Sequence, residues 1–150
     1  MATDVLRRIV APTDFSECAE EAWALTQRLA EALGSEVVLV HVFVEPPIYG
    51  DPPMVTSWTV VADTQKWVSD ELERWAERAR TKGIEVRTVV VTGSSAQEIV
   101  RLAGEEHADA IVMGTHGRAG LNRALLGSVA DRVIRTAPCP VLTVRKPDSE

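Results

Sequence analysis

The stretch M-G-T-H-G-R-A-G-L-N-R-A-L-L-G-S, from Met113 to Ser128, lies between a predicted strand and a predicted helix. The apolar run A-I-V-M is typical of a buried strand, and S-V-A-D-R-V-I-R indicates a helix that Ser128 caps. Gly114, Gly117 and Gly127 have the spacing G-x2-G-x9-G. Glycine permits close backbone approach and positive φ, and a helix N-terminus offers unpaired N–H groups and partial positive charge. The stretch therefore predicts an anion site, with phosphate as the expected ligand.

On either side of this stretch, short apolar runs alternate with segments of helical periodicity. The predicted strands are Arg8–Pro12, Val37–Val44, Glu85–Thr92, Ala110–Met113 and Pro140–Val144. Strict alternation of this kind predicts an α/β fold, with a parallel sheet covered by helices on both faces. With 150 residues and no linker or repeat, we expect a single domain over 1–150.

Local signals predict where the helices begin and end. Ser16 is a suitable N-cap for the first helix, and Gly34 closes it. The second helix is expected to begin near Ala62 or Asp63 and to stop at Gly83, and Ser94 or Ser95 can cap the third. The four prolines and the glycine in Glu45–Pro53 make regular structure unfavourable there.

Buried side chains are expected on the second helix and the second strand. Six apolar residues of the helix form one stripe, which favours packing on the sheet over a cofactor site: Trp67, Val68, Leu72, Trp75, Ala76 and Ala79. His41 lies within an almost continuously apolar strand, which indicates a core histidine whose hydrogen bonds are satisfied.

Composition and charge disfavour two classes of binding partner. A net charge of −6 and a pI of about 5.1 disfavour binding to nucleic acid or to an anionic membrane, since both need a basic surface. A single nucleotide remains possible, because local donors can hold one anion. Cys18 and Cys139 form no CxxC motif and are expected to be reduced thiols. Without a signal segment or a membrane-length apolar run, the expected location is the cytoplasm.

The glycine loop differs from two familiar phosphate-binding motifs. It lacks the G-K-[ST] ending of a Walker A loop, and no G-x-G-x-x-G follows the first strand. The glycines could instead be ordinary loop and helix-end residues. No Ser/His/Asp set with a nucleophile elbow and no Cys/His group with metal spacing is present. Only Asp14 or His116 would lie close enough to the phosphates to serve as a general base.

Three stretches together resemble the universal stress protein family. These are I-V-A-P-T-D-F-S near the N-terminus, V-L-V-H-V in the second strand, and G-T-H-G-R-A-G-L-N-R-A-L-L-G-S-V-A-D-R-V ending in A-P-C-P-V-L-T-V-R. The spacing G-x2-G-x9-G-S is the version found in ATP-binding members. The resemblance implies a Rossmann-like open parallel sheet in the order 3-2-1-4-5. It also implies a homodimer joined through the edge strand Pro140–Val144.

The resemblance also implies the ligand contacts. Adenine would lie against Pro12, Thr13 and Asp14 and against Val42 at the end of the second strand. The phosphates would meet the glycine loop and the start of the last helix. The candidate residues there are Met113, Gly114, His116, Gly117, Arg118, Gly127, Ser128 and Val129.

Two residues have open alternatives. Asp14 could bind a ribose hydroxyl or a phosphate-bound metal, or it could fix the turn through an Asx hydrogen bond. Ser128 could cap the helix, donate to a phosphate, or do both. Arg118 is favoured as a phosphate donor over a free surface charge, because the loop must offset several negative charges.

Three functions follow from these observations. The first is a regulatory homodimer that binds ATP, with Mg²⁺ held mainly by the phosphates, and signals to an unidentified partner. The second is a slow ATPase or phosphotransferase, which the missing lysine and missing base disfavour. The third is a dimeric interaction protein that binds no nucleotide. The sequence alone does not identify the physiological nucleotide.

Overall fold

A computed structural model describes residues 5–44, 58–117 and 125–147. The predicted loop Glu45–Pro53 and the candidate phosphate donor Arg118 lie outside these residues. The elements alternate strictly between strand and helix, as predicted. They are β1 (Arg8–Pro12), α1 (Glu17–Leu33), β2 (Glu36–Phe43), α2 (Trp58–Arg80), β3 (Val86–Thr92), α3 (Ser95–Glu105), β4 (Ala110–Gly114), α4 (Ser128–Thr136) and β5 (Val141–Val144).

The five strands form one parallel sheet in the order β3-β2-β1-β4-β5, which confirms the predicted fold class. Strand β1 is central and pairs with β2 along its whole length, up to Pro12 opposite Val40. Its pairing with β4 covers only Ile9 and Val10. The two central strands therefore separate toward their carboxyl ends, where the winding of the sheet reverses. A crevice at this switch point is where ligands of such sheets bind.

Helices cover both faces of the sheet, and each face has its own apolar core. One face packs against α1 and α2 through a cluster that includes Trp23, Leu39, Leu72 and Trp75. The other packs against α3 and α4 around residues such as Ile111. Within the described ranges, no helix has both the length and the apolar character that a membrane span requires.

The ends of α1 follow the predicted capping rules. The Ser16 side chain accepts a hydrogen bond from the Ala19 N–H at 3.2 Å, so Ser16 is the N-cap. Gly34 has φ of 69° and donates its N–H to the Ala30 carbonyl. This left-handed conformation is easily reached only without a Cβ, which explains why glycine ends the helix.

Two predicted helix starts are wrong. Gly127, with φ of −62° and ψ of 151°, is the N-cap of α4, so Ser128 is the first helical residue instead of the cap. The α2 helix begins at Trp58, about one turn before the predicted Ala62 or Asp63. Helix propagation adds one hydrogen bond per residue, and this outweighs the modest propensity penalty of the β-branched residues in that turn.

Both cysteines are free thiols that contribute to packing. Cys18 is buried and its Sγ donates to the Val144 carbonyl at 3.0 Å, which ties the start of α1 to β5. Cys139 is partly buried beside the α3–α4 core. Burial raises the pKa of the Cys139 thiol, and the Asp109 carboxylate raises this pKa further. The Cys139 thiol is thereby held in its less reactive protonated form.

The core of α2 provides a test of this packing. Leu72 is fully buried, so Leu72→Ala should lower the free energy of unfolding by about 2–5 kcal/mol through lost transfer energy and the cavity left behind. Ser69→Ala, on the exposed side of the same helix, should change it by less than about 0.5 kcal/mol. Urea denaturation measures both values, and equal effects of the two substitutions would contradict the assigned orientation of α2.

Candidate functional site

A cavity of about 740 Å³ lies beyond the carboxyl ends of β1, β2 and β4. This volume is within the range of small-molecule sites. The cavity lining brings together every candidate binding residue that the structure describes. These are Pro12, Thr13, Asp14, Val42, Met113, Gly114, His116, Gly117, Gly127, Ser128 and Val129. The twelfth candidate, Arg118, lies outside the described residues.

The glycine loop returns to β4 through Gly127. The Gly127 N–H donates to the Thr115 carbonyl at 2.8 Å, immediately after β4 ends. A Cβ on Gly127 would lie 2.5 Å from that carbonyl oxygen, too close for any side chain. Glycine is therefore required here for a close approach between two parts of the backbone, whereas its φ of −62° is not the positive value that the sequence analysis also allowed.

The other two loop glycines also lie against protein atoms. A Cβ on Gly114 would lie 3.0 Å from the backbone carbon and from the Sγ of Cys18, so this glycine lets α1 pack closely on β4. A Cβ on Gly117 would lie 2.6 Å from the Asp14 Oδ2. Gly117 thus brings the glycine loop against the turn that follows β1.

The first turn of α4 supplies the electrostatics suited to an anion. The first N–H groups of a helix have no partner within the helix and carry its partial positive charge. In the described residues, no side chain caps α4, and Ser128, Val129 and Ala130 all line the cavity. The described lining contains no lysine or arginine. Backbone N–H groups are consequently the main source of positive potential in the described part of the site.

The turn after β1 is held by hydrogen bonds from side chains to the backbone. The Asp14 Oδ1 accepts from the Ser16 N–H at 3.0 Å, which is the Asx turn that the sequence left open. The Thr13 Oγ1 accepts from the Phe15 N–H at 3.0 Å. Phe15 has φ of 61°, a conformation that is costly for a residue with a Cβ. These hydrogen bonds hold the turn in that shape.

His116 is bound within the glycine loop itself. Its Nε2 hydrogen-bonds the Leu125 carbonyl, and its Nδ1 lies 3.0 Å from the Thr115 hydroxyl. A carbonyl only accepts, so Nε2 carries the proton in the neutral ring and Nδ1 accepts from the hydroxyl. With both nitrogens engaged, His116 ties together the two ends of the loop and is poorly available as a general base.

Three aromatic side chains form a wall of the cavity that the sequence analysis missed. Phe15 stacks on His41, with ring centroids 5.2 Å apart, and meets Trp67 edge-to-face at 5.6 Å. Two expectations are corrected here. Trp67, predicted as core, is 48% exposed. His41 is only partly buried, although its Nδ1 does donate to the Thr13 carbonyl at 2.8 Å.

The sequence pattern explains why Trp67 was predicted to be buried, and it contained a signal for Phe15. Trp67 precedes Val68 by one residue and so lies at the margin of the apolar stripe, where a pattern of spacing does not separate buried from exposed. Phe15 could have been found from the sequence, because it lies three residues after the carboxyl end of β1, in the turn next to the expected ligand position.

Comparisons with known proteins agree with this fold. The model of the universal stress protein family matches residues 6–145. Universal stress protein MJ0531 of Methanocaldococcus jannaschii is 39% identical over 148 residues, which cover 98% of this chain and 86% of the relative.

Two solved structures extend the comparison to three dimensions. The structure of MJ0577, a universal stress protein of the same organism, is 32% identical with a TM-score of 0.84, covering 97% of this chain and 99% of that one. The universal stress protein from Archaeoglobus fulgidus in complex with dAMP is 25% identical with a TM-score of 0.61, covering 93% and 98%. Since the family model and these relatives match nearly the whole chain, the protein belongs to the universal stress protein family.

Proposed function

We propose that this chain is an adenine-nucleotide-binding regulatory module that binds ATP as a homodimer. The observation that carries the proposal is the cavity formed by the ends of β1, β2 and β4 and the start of α4. One end of this cavity offers helix N–H groups, and the other offers aromatic and apolar side chains. A nucleotide has the same division between an anionic end and a flat apolar end.

The phosphates belong at the glycine loop in this proposal. The N–H groups of Ser128 and Val129 begin α4, where the helix dipole favours an anion. Ser128 is exposed and its hydroxyl does not cap the helix, so it is available to donate to a phosphate oxygen. Mg²⁺ would be held mainly by the ATP phosphates, where it would neutralise part of their charge.

The base belongs at the ends of β1 and β2. Pro12 and Val42 line the cavity there together with the aromatic residues. A relative from Archaeoglobus fulgidus was solved with dAMP, which supports an adenine nucleotide as the ligand class. The choice of ATP over AMP rests on the G-x2-G-x9-G-S resemblance.

The hydrogen bonds of the two candidate general bases, His116 and Asp14, support ATP binding without rapid hydrolysis. His116 has both ring nitrogens engaged, and Asp14 has one carboxylate oxygen in the Asx turn. Phosphoryl transfer needs a nucleophile held in line and charge stabilisation. We therefore propose that ATP acts as a switch that favours one conformation of the module by differential affinity.

Assembly through β5 follows from the edge of the sheet. Strand β5 is the last in the sheet order, and Leu142 on it is 40% exposed. Pairing with a second copy would satisfy the outer row of backbone donors and acceptors. The proposed interface includes Val141 and Thr143 of each copy.

The position of the phosphates can be tested at Gly117. A Cβ there meets the outer carboxylate oxygen of Asp14 and no backbone atom outside its chain neighbours, so Gly117→Val should fold with a local adjustment of the Asp14 side chain. Its valine would occupy the space next to the loop backbone, and ATP affinity should fall at least tenfold, about 1.4 kcal/mol. Titration calorimetry measures the affinity, and Gly104→Val, in α3, controls for a general loss of helix or loop stability. Unchanged affinity in a folded Gly117→Val protein would remove the loop from the binding site.

Turnover is tested with purified dimer, ATP and Mg²⁺ in a single-turnover assay. We expect hydrolysis well below about 1 s⁻¹, the low end for ordinary enzymes. Asp14→Asn keeps an oxygen that can accept from the Ser16 N–H but removes the charge, so it separates a chemical role from the Asx turn. Faster hydrolysis that Asp14→Asn abolishes would identify the protein as an ATPase.

The proposed interface predicts different effects at the two edges of the sheet. Leu142→Glu on β5 should convert a micromolar dimer to a monomer, because a charge would be buried in the interface. Val90→Glu, at a 36% exposed position on the opposite edge strand β3, should leave the dimer intact. Sedimentation velocity distinguishes the two species. A monomeric unmodified protein, or dissociation by the β3 substitution alone, would refute the proposed interface.

A further inference from the structure

We infer that Trp67 stacks on the base of the bound nucleotide and gives the site a preference for purine over pyrimidine nucleotides. This inference rests on the nucleotide binding proposed above and adds the residue that selects the base. Trp67 is the exposed member of the aromatic wall formed by Phe15, His41 and Trp67.

The exposure of Trp67 is unusual for its position. The other members of the α2 stripe are buried, with Trp75 only 7% exposed, whereas Trp67 is 48% exposed and lines the cavity. A large aromatic ring gains stability from being covered, so an indole left half open beside a cavity is suited to packing against a ligand. A flat base is a ligand that would cover it.

The contact with Phe15 does not cover both faces of the Trp67 indole, which is 48% exposed. Trp67 meets Phe15 at an interplanar angle of 74°, so the contact involves the edge of one of the two rings. At least one face of the indole therefore lies outside that contact. Parallel stacking on such a face is the usual way in which proteins bind bases without reading their hydrogen-bonding edges.

The rings behind Trp67 are held in fixed positions. Phe15 is held by the turn after β1, and it also contacts Trp75 edge-to-face at 5.4 Å in the α1–α2 core. His41 is held by the hydrogen bond from its Nδ1 to the Thr13 carbonyl. A rigid support reduces the entropy that stacking would cost, and rigid aromatic surfaces are effective ligand contacts for that reason.

A nucleotide whose phosphates bind at the start of α4 would have its base near the aromatic wall. The phosphates are drawn to the start of α4, which follows β4, whereas α2 packs over β2 and β3. A nucleotide anchored by its phosphates at α4 would extend across the ends of β1 and β2, toward the aromatic wall. Purines have the larger stacking surface, so an additional aromatic contact favours them over pyrimidines.

Titration calorimetry of the whole 150-residue chain with ATP and CTP tests the preference. Relative to the unmodified protein, Trp67→Ala should lower ATP affinity about tenfold and CTP affinity distinctly less, because a smaller base loses less stacking. Trp67→Phe should retain most of the ATP affinity. Trp67→Leu, which keeps apolar volume without an aromatic face, should resemble Trp67→Ala and guards against a folding defect in the smaller variant.

Fluorescence gives an independent measurement. ATP should quench part of the tryptophan emission of the unmodified protein, and Trp67→Phe should lose that part while still binding ATP. Equal losses of ATP and CTP affinity in folded Trp67→Ala and Trp67→Leu proteins would overturn the inference, as would a quench that survives Trp67→Phe. If the unmodified protein binds no adenine nucleotide, the proposed function itself fails, which is a distinguishable result.

Discussion

The hydrogen bond from the Gly127 N–H to the Thr115 carbonyl determines where α4 begins relative to the sheet. It holds Gly127 in an extended conformation, and the Gly127 carbonyl then accepts the first helical hydrogen bond from the Asp131 N–H. The start of α4 is thereby fixed beside the end of β4. The residues of the first turn, Ser128, Val129 and Ala130, thereby line the cavity. The absence of a Cβ at one residue makes this whole arrangement possible.

The turn after β1 connects the same cavity to the core. Its hydrogen bonds hold Phe15 in a left-handed conformation, with its ring between His41 at the cavity and Trp75 in the α1–α2 core. Trp75 in turn stacks on Trp23 of α1. Strained residues held by their surroundings are typical of functional sites. A ligand that shifts the Phe15 turn would act directly on the packing of two helices, which is a physical route from binding to a change recognised by a partner.

An acidic protein can still hold a polyanion, because binding depends on local potential more than on net charge. The chain has a net charge of −6, yet the described part of the cavity contains one acidic side chain, Asp14, beside the first turn of α4. Much of the remaining charge is paired on the surface, as in the contacts of Arg80 with Glu73 and of Arg101 with Glu98 and Glu105. Those pairs lie on the helices and outside the cavity lining.

The amino-acid sequence by itself determined the order of elements, the fold class, and the caps Ser16 and Gly34. These features depend on local backbone preference, on the period of apolar residues, and on the rule that parallel strands end at one edge. The motif resemblance supplied the strand order, the expected nucleotide, and the candidate residues that the structure brings together in one cavity. These features depend on nearby residues or on motifs shared across a family, so they can be predicted from one sequence.

Tertiary structure alone decided which residues from distant parts of the chain come into contact. Gly114 lets Cys18 pack closely against β4, and Gly117 approaches Asp14, although these partners are far apart along the chain. The capping prediction for Ser128 failed because a contact with Thr115 moved the helix start by one residue. Trp67 was predicted to be buried because periodicity shows which face of a helix is apolar. Periodicity does not show how far the sheet and the other helices cover that face, and Trp67 is 48% exposed. Contacts between distant segments set these details, and local pattern does not encode them.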